Sequence, residues 1–152
     1  MTDMRNIRET MLELGQLDES VLEILQISDD CFAVRYEDVD VELEFDATSG
    51  RILLSTEIAT PEPEKRLEIY ETLLNYSLLW QETGGVRMAL AGRGGPAIQM
   101  VDLDTAGLQP NLLRTVLANL VDRTIIWRAF FASDGEAEVP FDALHPSAGI
   151  RV

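Results

Sequence analysis

The stretch "VDVELEFDATSGRILLSTEI", residues 39–58, decides how the fold is read. From 39 to 46, Val, Val, Leu and Phe alternate with Asp, Glu, Glu and Asp. A period of two is that of a strand with one buried face and one wet face. "ATSG" then supplies turn residues, and 51–58 predicts the returning strand of a β-hairpin.

Further strands are predicted on both sides of this hairpin. Upstream, residues 21–28 and 31–38 are two short candidates separated by a pair of aspartates, so four strands in succession indicate an antiparallel meander. Downstream, "VRMALA" (86–91) and "AIQMVDL" (97–103) flank a glycine-rich segment.

The first predicted helix covers residues 3–14, where Met4, Ile7, Met11 and Leu14 form one apolar stripe. We expect Thr2 or Asp3 to cap its start and Gly15 to end it. The last predicted helix covers about 110–131. Its expected core side consists of Leu113, Val116, Leu117, Leu120, Thr124 and Trp127.

The second predicted helix starts at "TPE" (60–62) and runs to Gln81 or Glu82, before two glycines. Its apolar positions are Leu67, Tyr70, Leu74 and Leu78, widened by Leu73 and Leu79, with Tyr76 and Trp80 toward the flank. Because this face is broader than one contact needs, it suggests two partners, such as a sheet and a second subunit.

The order of predicted elements is α-β-β-β-β-α-β-β-α. Strands in blocks, interleaved with three helices, predict an α+β fold with helices packed on a twisted antiparallel sheet. We expect one domain over residues 1–132 and a C-terminal tail over 133–152, which is partly disordered because it has two prolines and no sustained period.

Composition limits the classes of function. Twelve basic residues against 27 acidic ones give a net charge of −15, which disfavours nucleic acid and anionic membranes as partners. No long apolar run predicts a membrane span, and the N-terminus lacks the features of a signal peptide. A single cysteine excludes an intrachain disulfide, so we expect a cytoplasmic protein.

The segment Gly92–Pro96 resembles a phosphate-binding loop only in its glycines and its arginine. A P-loop needs a Lys-Ser/Thr pair and a following helix, whereas proline and a predicted strand follow here. A hairpin turn explains the glycines, which supply positive φ angles.

No other pattern predicts catalysis, a metal or a cofactor. The acids Asp40, Glu42, Glu44 and Asp46 lie about 7 Å apart along one strand, too far to converge on a cation without other ligands. His145 is alone in the tail, and Cys31 is expected to be a small buried hydrophobe. One alternative stays open: the fold could bring two carboxylates together, and such a pair could carry out acid–base catalysis.

Three local patterns carry a resemblance over about residues 3–131. They are "MRNIRETMLELG" (4–15), "RLEIYETLLNYSLLWQETGG" (66–85) leading into "VRMALA", and "LVDRTIIWRAFFA" (120–132) with its late aromatic Trp127. With the acidic charge and the element order, the chain resembles a class I type III secretion chaperone of the Tir-chaperone (CesT-like) family. The strand before residue 31 and the tail after 132 depart from the family pattern.

This resemblance implies a homodimer without catalysis or cofactor. It binds the N-terminal region of a secreted effector in extended form, keeps it competent for export and delivers it to the secretion ATPase. The implied dimer interface contains Leu73, Tyr76, Leu79, Trp80 and Met88. The implied effector-binding residues are Ile7, Met11, Leu14, Phe32, Val34 and Leu54.

Two other classes stay open. A regulatory or immunity-type protein-binding module of the same fold would share the small size and the acidity, but it would bind a folded partner through one surface. A small enzyme is the third reading and requires a stoichiometric metal or ligand.

Overall fold

The structure, a computed structural model, describes residues 4–133 of the chain. Its elements confirm the predicted α+β class and the predicted order of helices and strands. They are α1 (Met4–Leu17), β1 (Glu23–Gln26), β2 (Cys31–Arg35), β3 (Asp40–Asp46), β4 (Arg51–Glu57), α2 (Arg66–Leu78), β5 (Arg87–Leu90), β6 (Ala97–Asp104) and α3 (Pro110–Ala132).

The six strands form one antiparallel sheet in the order β1-β2-β3-β4-β6-β5. The first four strands form the predicted meander. Strand β6 pairs with β4, and within residues 4–133 β5 pairs only with β6, so β1 and β5 are the two edges of the sheet in this part of the chain. These edges carry the candidate functional surfaces.

The alternation along β3 is confirmed by burial, since Val41, Leu43 and Phe45 are buried while the acids between them are exposed. The register continues this buried row, because Leu43 lies opposite Leu54, which lies opposite Val101. Helices α1 and α3 cover this face of the sheet, and the acidic face is open to solvent.

Helix α3 packs on the sheet as its sequence predicts. All six residues expected on its core side are buried. The Trp127 ring meets the Tyr76 ring edge to face at 5.1 Å, which joins α3 to α2. A buried amide joins α3 to β6, because Gln99 Nε2 donates to Thr124 Oγ1 at 3.1 Å and to the Leu120 carbonyl at 3.2 Å.

The prediction that Gly15 ends the first helix is wrong, since α1 continues to Leu17. Gly15 is not among the glycines with positive φ, so its backbone does not break the helix. The expected caps, Thr2 and Asp3, lie outside the described residues.

Helix α2 is shorter than predicted at both ends. Pro63 disfavours helical angles at the residue before it, and the helix begins only at Arg66. The core side is also corrected. Ile69, Leu73 and Tyr76 are buried, whereas the leucines at 67, 74 and 78 point outward and are 70–77% exposed.

The glycine-rich segment is a hairpin turn, as predicted, closed by the Ala91 N–H donating to the Pro96 carbonyl at 2.9 Å. Gly92 and Gly94 have φ angles of 88° and 69°, but Gly95 is required for a different reason. A Cβ atom at Gly95 would lie 2.3 Å from the Ala91 carbonyl oxygen.

One other expectation differs, and one is not tested. Cys31 is half-buried on the open face of the sheet rather than buried in the core, because it alternates with the core residue Phe32. Residues 134–152, including His145, lie outside the described part of the chain, so the predicted tail is not assessed by the structure.

Candidate functional site

The two edges of the sheet present different surfaces. At one edge, β1 pairs with β2 on its inner side, and no strand among residues 4–133 pairs with its outer side. Its outer main-chain groups are therefore free to pair with another chain.

A groove of about 450 Å³ runs between α1 and β1 beside this free edge. We call it the α1–β1 groove. Its lining residues come from α1, from the segment leading into β1, from β1 itself and from β2. They are Arg8, Met11, Leu12, Gly15, Val21, Leu22, Glu23, Ile24, Gln26 and Phe32.

The groove combines a buried floor with exposed apolar walls. Met11 and Phe32 are almost fully buried, whereas Leu12 and Leu22 are 68% and 64% exposed. Leu25 and Ile27 add exposed apolar surface along the same edge. Covering such side chains with another chain removes apolar area from water, which favours binding.

Two charged residues, Arg8 and Glu23, line this groove. Glu23 is held by Arg35 at 3.1 Å, and Arg35 also contacts Asp40 at 3.3 Å, but these side chains are about half exposed. Exposed ion pairs of this kind contribute about 0–1 kcal/mol. Apolar walls and a main chain unpaired within the described residues are therefore the main features of this groove.

At the opposite edge, α2 covers β5. The Ser77 hydroxyl accepts the Met88 N–H at 2.9 Å, so a side chain of the helix satisfies an edge donor of the strand. At Met88, therefore, the outer main-chain donor of β5 is already used within the same subunit.

The side chains at this edge form a second apolar surface, which we call the α2–β5 surface. Its exposed members are Leu67, Leu74, Leu78, Trp80 and Leu90. Positions 67, 74 and 78 lie on one stripe of the helix. A pocket of about 120 Å³ between α2 and β5 is lined by Tyr70, Leu73, Leu74, Met88, Ala89 and Leu90.

Hydrogen bonds from Thr83 and the buried Arg123 hold the loop that carries Trp80. Arg123 is 8% exposed and donates to the Thr83 carbonyl at 3.2 Å, while the Thr83 hydroxyl donates to the Trp80 carbonyl at 3.3 Å. Burial lowers the pKa of Arg123 and raises the pKa of Tyr76. The guanidinium still carries its charge at neutral pH.

The open face of the sheet carries the acids of β3. Asp102 is paired with both Arg51 and Arg87. Burial and the neighbouring Glu42 raise the pKa of the Cys31 thiol to about 11, so it is not a reactive thiolate at neutral pH. Within residues 4–133, no group of three or more acidic, His or Cys side chains is placed to hold a metal ion.

The six residues predicted to bind an effector are all buried in the described fold. Ile7, Met11 and Leu14 are at most 2% exposed, and the strand residues are at most 4% exposed. Met11 and Phe32 line the α1–β1 groove, whereas Ile7, Leu14, Val34 and Leu54 belong to the buried core and do not line it. Their burial argues against direct contact for these four, and their role in binding stays a prediction.

The five residues predicted for a dimer interface divide in the same way. Trp80 is 49% exposed, Leu79 and Met88 are half-buried, and Leu73 and Tyr76 belong to the core. The sequence analysis missed the exposed residues that carry both surfaces, such as Leu12, Leu22 and Leu90. One signal in the sequence could have identified them. Leu12 is an apolar residue of α1 that does not fall on the helical stripe of core residues to which its neighbour Met11 belongs.

Comparison with known proteins gives a family match over most of the chain. Residues 10–128 match the Tir chaperone protein (CesT) family. No curated protein sequence matches the chain significantly. No helix within residues 4–133 combines the length and the apolar character needed to cross a membrane.

Solved structures share the fold at low sequence identity. A chain of the ExsC–ExsE complex is 19% identical, with a TM-score of 0.65 over 88% of this chain and 100% of that one. A chain of the HopA1–SchA chaperone–effector complex is 17% identical, with a TM-score of 0.63 over 85% and 99%. YbjN, a candidate transcription regulator from E. coli, is 13% identical, with a TM-score of 0.59 over 84% and 90%.

Proposed function

Because the chain belongs to the Tir chaperone protein (CesT) family, we propose that it is a type III secretion chaperone. It binds the N-terminal region of a secreted effector as an extended segment and keeps that segment soluble and competent for export. The family is a class of chaperones rather than enzymes. The single observation that carries the proposal is the apolar α1–β1 groove beside a free strand edge.

The groove suits an extended segment for two physical reasons. Main-chain pairing to β1 supplies hydrogen bonds without demanding a particular sequence. The exposed side chains of Leu12 and Leu22 then select for apolar residues in the segment. The HopA1–SchA structure, which has the same fold, is a chaperone–effector complex and so supports a protein as the ligand.

The predicted effector-binding residues take two roles in this proposal. Met11 and Phe32 contact the segment from the floor of the groove. Ile7, Leu14, Val34 and Leu54 belong to the buried core, so they contribute to binding through the stability of the fold.

We propose that a second copy of the chain covers the α2–β5 surface and forms a homodimer. Contiguous exposed apolar surface of this kind marks an interaction site. A two-fold axis places the same patch on both subunits, which suits one self-complementary stripe of leucines with Trp80 beside it. Leu73, Tyr76, Leu79 and Met88 support this interface from within each subunit.

The remaining parts of the proposal follow from the function. The chain is a single chaperone domain over residues 1–132, acts in the bacterial cytoplasm and passes its effector to the secretion ATPase. The net charge of −15 keeps a protein with two exposed apolar surfaces soluble.

The test is binding of an unfolded segment. The full chain is co-expressed with the N-terminal segment of the protein encoded by a neighbouring gene, and we expect a 2:1 complex in which the segment resists protease. Leu12→Glu in the groove should abolish that protection. Leu112→Glu, on an exposed position of α3, is the matched control and should leave protection intact.

Two results would contradict this function. One is a monomer that protects none of the neighbouring segments. The other is protection that survives both Leu12→Glu and Leu22→Glu, because the groove would then not be the binding site.

A regulatory or immunity-type binding module of the same fold is the second candidate. The similarity to YbjN favours it, since that protein is described as a candidate transcription regulator. Such a module would bind a folded partner, so the bound partner would keep its own cooperative unfolding transition. A bound effector segment would have no transition of its own.

A further inference from the structure

Arg123 is a buried cation without an acidic partner in the described fold. Its side chain lies against the loop that follows α2, where one guanidinium N–H donates to the Thr83 carbonyl at 3.2 Å. The residue is 8% exposed, and no carboxylate within residues 4–133 forms an ion pair with it. Because a buried charge is costly unless an opposite charge pairs with it, Arg123 has a binding capacity that this part of the chain leaves unused.

A second donor without a partner lies one helical turn before Arg123. The Nδ2 atom of Asn119 is buried and has no hydrogen-bond partner among the described residues. Side chains four positions apart on a helix are neighbours, so the amide and the guanidinium face the same region. A carboxylate has two oxygens and can accept from both donors.

Helix α2 carries the complementary feature, an acid without a cation. Glu71 lies four residues after Leu67 and three before Leu74, so it falls on the exposed leucine stripe of the helix. It is exposed, and it forms no ion pair in the described part of the chain. A second copy that covers this stripe also covers Glu71, and a carboxylate enclosed among leucines needs a partner cation.

Arg123 lies on the side of the molecule that carries this stripe, toward the C-terminal end of α2. The Thr83 residue that it contacts also donates its hydroxyl to the Trp80 carbonyl at 3.3 Å, and Trp80 belongs to the α2–β5 surface. When a two-fold axis crosses the stripe, the two copies of α2 run antiparallel. The half of one helix that contains Glu71 then meets the C-terminal end of the other helix, where Arg123 lies.

We propose that Glu71 of one copy forms an ion pair with Arg123 of the second copy, with Asn119 as an additional donor. The inference rests on the proposed homodimer and names the polar contact that sets its register. A two-fold interface contains each contact twice, so the dimer has two such pairs. The leucines and Trp80 supply apolar area, whereas the ion pairs make one orientation of the two copies specific.

Glu71→Leu distinguishes a paired acid from an unpaired one by the direction of its effect. Without a partner cation, leucine would extend the apolar stripe and strengthen the dimer. With the proposed pair, the substitution leaves Arg123 enclosed without its acid and should weaken dimerisation by about 30-fold or more. Light scattering over a dilution series of the full chain measures the dissociation constant.

Glu68→Leu is the matched control, because Glu68 is an exposed acid of α2 that lies off the leucine stripe. It should change the dissociation constant of the dimer by less than about 2-fold. Circular dichroism and thermal unfolding check that each variant keeps its fold.

Mixing two variants tests whether the pair joins different chains. Glu71→Gln and Arg123→Met each remove both ion pairs from their own homodimers. A mixed dimer of the two keeps one intact pair, because each chain supplies the residue that the other lacks. Dimers should therefore form in the mixture at concentrations where either variant alone is mostly monomeric. Capture of an untagged variant by a tagged one measures this gain, and the same variant in tagged and untagged form is the control.

The possible failures are distinguishable. If Glu71→Leu strengthens the dimer or leaves it unchanged, the ion pair is overturned and the homodimer stands. If both variants fold and the mixture shows no gain, Glu71 of a second copy is not the partner of Arg123, and a free carboxylate or an acid of residues 134–152 takes that role. If Arg123→Met does not fold, the direction of the Glu71→Leu effect decides alone. If wild type is a monomer, the proposed homodimer falls together with the inference.

Discussion

The two edges of the sheet differ in what they leave exposed. At β1 the main chain is free and a groove lies beside it. At β5 a helix covers the strand, and Ser77 accepts the Met88 N–H from within the same subunit. Among the described residues, the first edge therefore offers main-chain hydrogen bonds to an extended chain, whereas the second has at least one donor, the Met88 N–H, already used and presents apolar side chains beside it.

This difference suits the two kinds of partner that we propose for the sheet. A strand-like segment needs free donors and acceptors, which β1 supplies. A folded partner needs a shaped apolar patch, which the leucines of α2 supply. Covering β5 with α2 also prevents uncontrolled pairing of that edge with other strands.

The largest expected effect comes from the core that lies beneath both surfaces. Trp127→Ala should lower the free energy of unfolding by about 3–5 kcal/mol, because it leaves a cavity where α3 meets Tyr76. Urea unfolding measures it. Ile125→Ala, on an exposed position of the same helix, should change stability by less than about 0.5 kcal/mol. Similar losses in both variants would contradict this account of the core.

The next effect separates the two edges. Leu74→Asp places a charge in the α2–β5 surface and should weaken dimerisation about 100-fold without unfolding the subunit, because Leu74 is 70% exposed. Light scattering should show the mass of one chain instead of two at micromolar concentration. Leu112→Asp is the control, and a dimer that persists in Leu74→Asp would reject the interface.

Leu73→Asp is a poor test of the same interface. Leu73 is only 4% exposed, so a buried, unpaired carboxylate would destabilise the subunit itself. Loss of the dimer in that variant would not distinguish a broken interface from an unfolded helix.

A smaller loss of stability is expected when the hydrogen bond between Ser77 and the Met88 N–H of β5 is removed. Ser77→Ala removes the acceptor of the Met88 N–H and should cost about 1 kcal/mol. The Met88 amide should then exchange its hydrogen about 10-fold faster by NMR, while the amides of β1 stay unchanged. Equal acceleration at both edges would indicate global destabilisation instead.

The smallest effect lies between the two edges, at the β3–β4 turn. Hydrogen bonds from the Ser49 hydroxyl and the Thr48 N–H lower the pKa of the exposed Asp46 carboxyl. A depressed folded-state pKa contributes stability above the unfolded-state pKa of about 3.9, and this contribution disappears as the pH falls through the folded-state value.

Asp46→Asn should therefore be slightly less stable than wild type at pH 7 and equal to it near pH 2. Denaturant unfolding at the two pH values measures this difference. A difference that grew toward low pH would have the wrong sign. Asp46→Asn should leave the molecular mass by light scattering and the protection of the bound segment unchanged at neutral pH.

The sequence predicted the elements better than it predicted the surfaces. Alternation in β3 and the apolar period of α3 each report a burial that is determined locally, so both were confirmed. Helix α2 was harder, because both of its faces are apolar and period alone does not say which one the sheet takes. In the structure Ile69 and Tyr76 are buried in the core, whereas Leu67, Leu74 and Leu78 are exposed to solvent.

The same limit applies to the candidate site. The apolar stripe of α1, formed by Ile7, Met11 and Leu14, was predicted to bind an effector. A regular apolar stripe is also the pattern of a helix face that packs in the core, and these three residues are buried. Leu12, off the stripe, was overlooked and proved to be exposed. Gly15 was interpreted as a helix stop because one sequence cannot distinguish a glycine that ends a helix from one that makes room beside it.

By itself, the sequence determined the α+β class, the order of elements, the acidity and the absence of a phosphate-loop motif, since each depends on period, composition or local turn chemistry. Only the tertiary structure decided that β6 lies between β4 and β5, which makes β1 and β5 the two edges. It also decided which apolar residues remain exposed. Burial depends on where neighbouring elements pack, and that packing joins residues far apart in the chain, such as Tyr76 and Trp127.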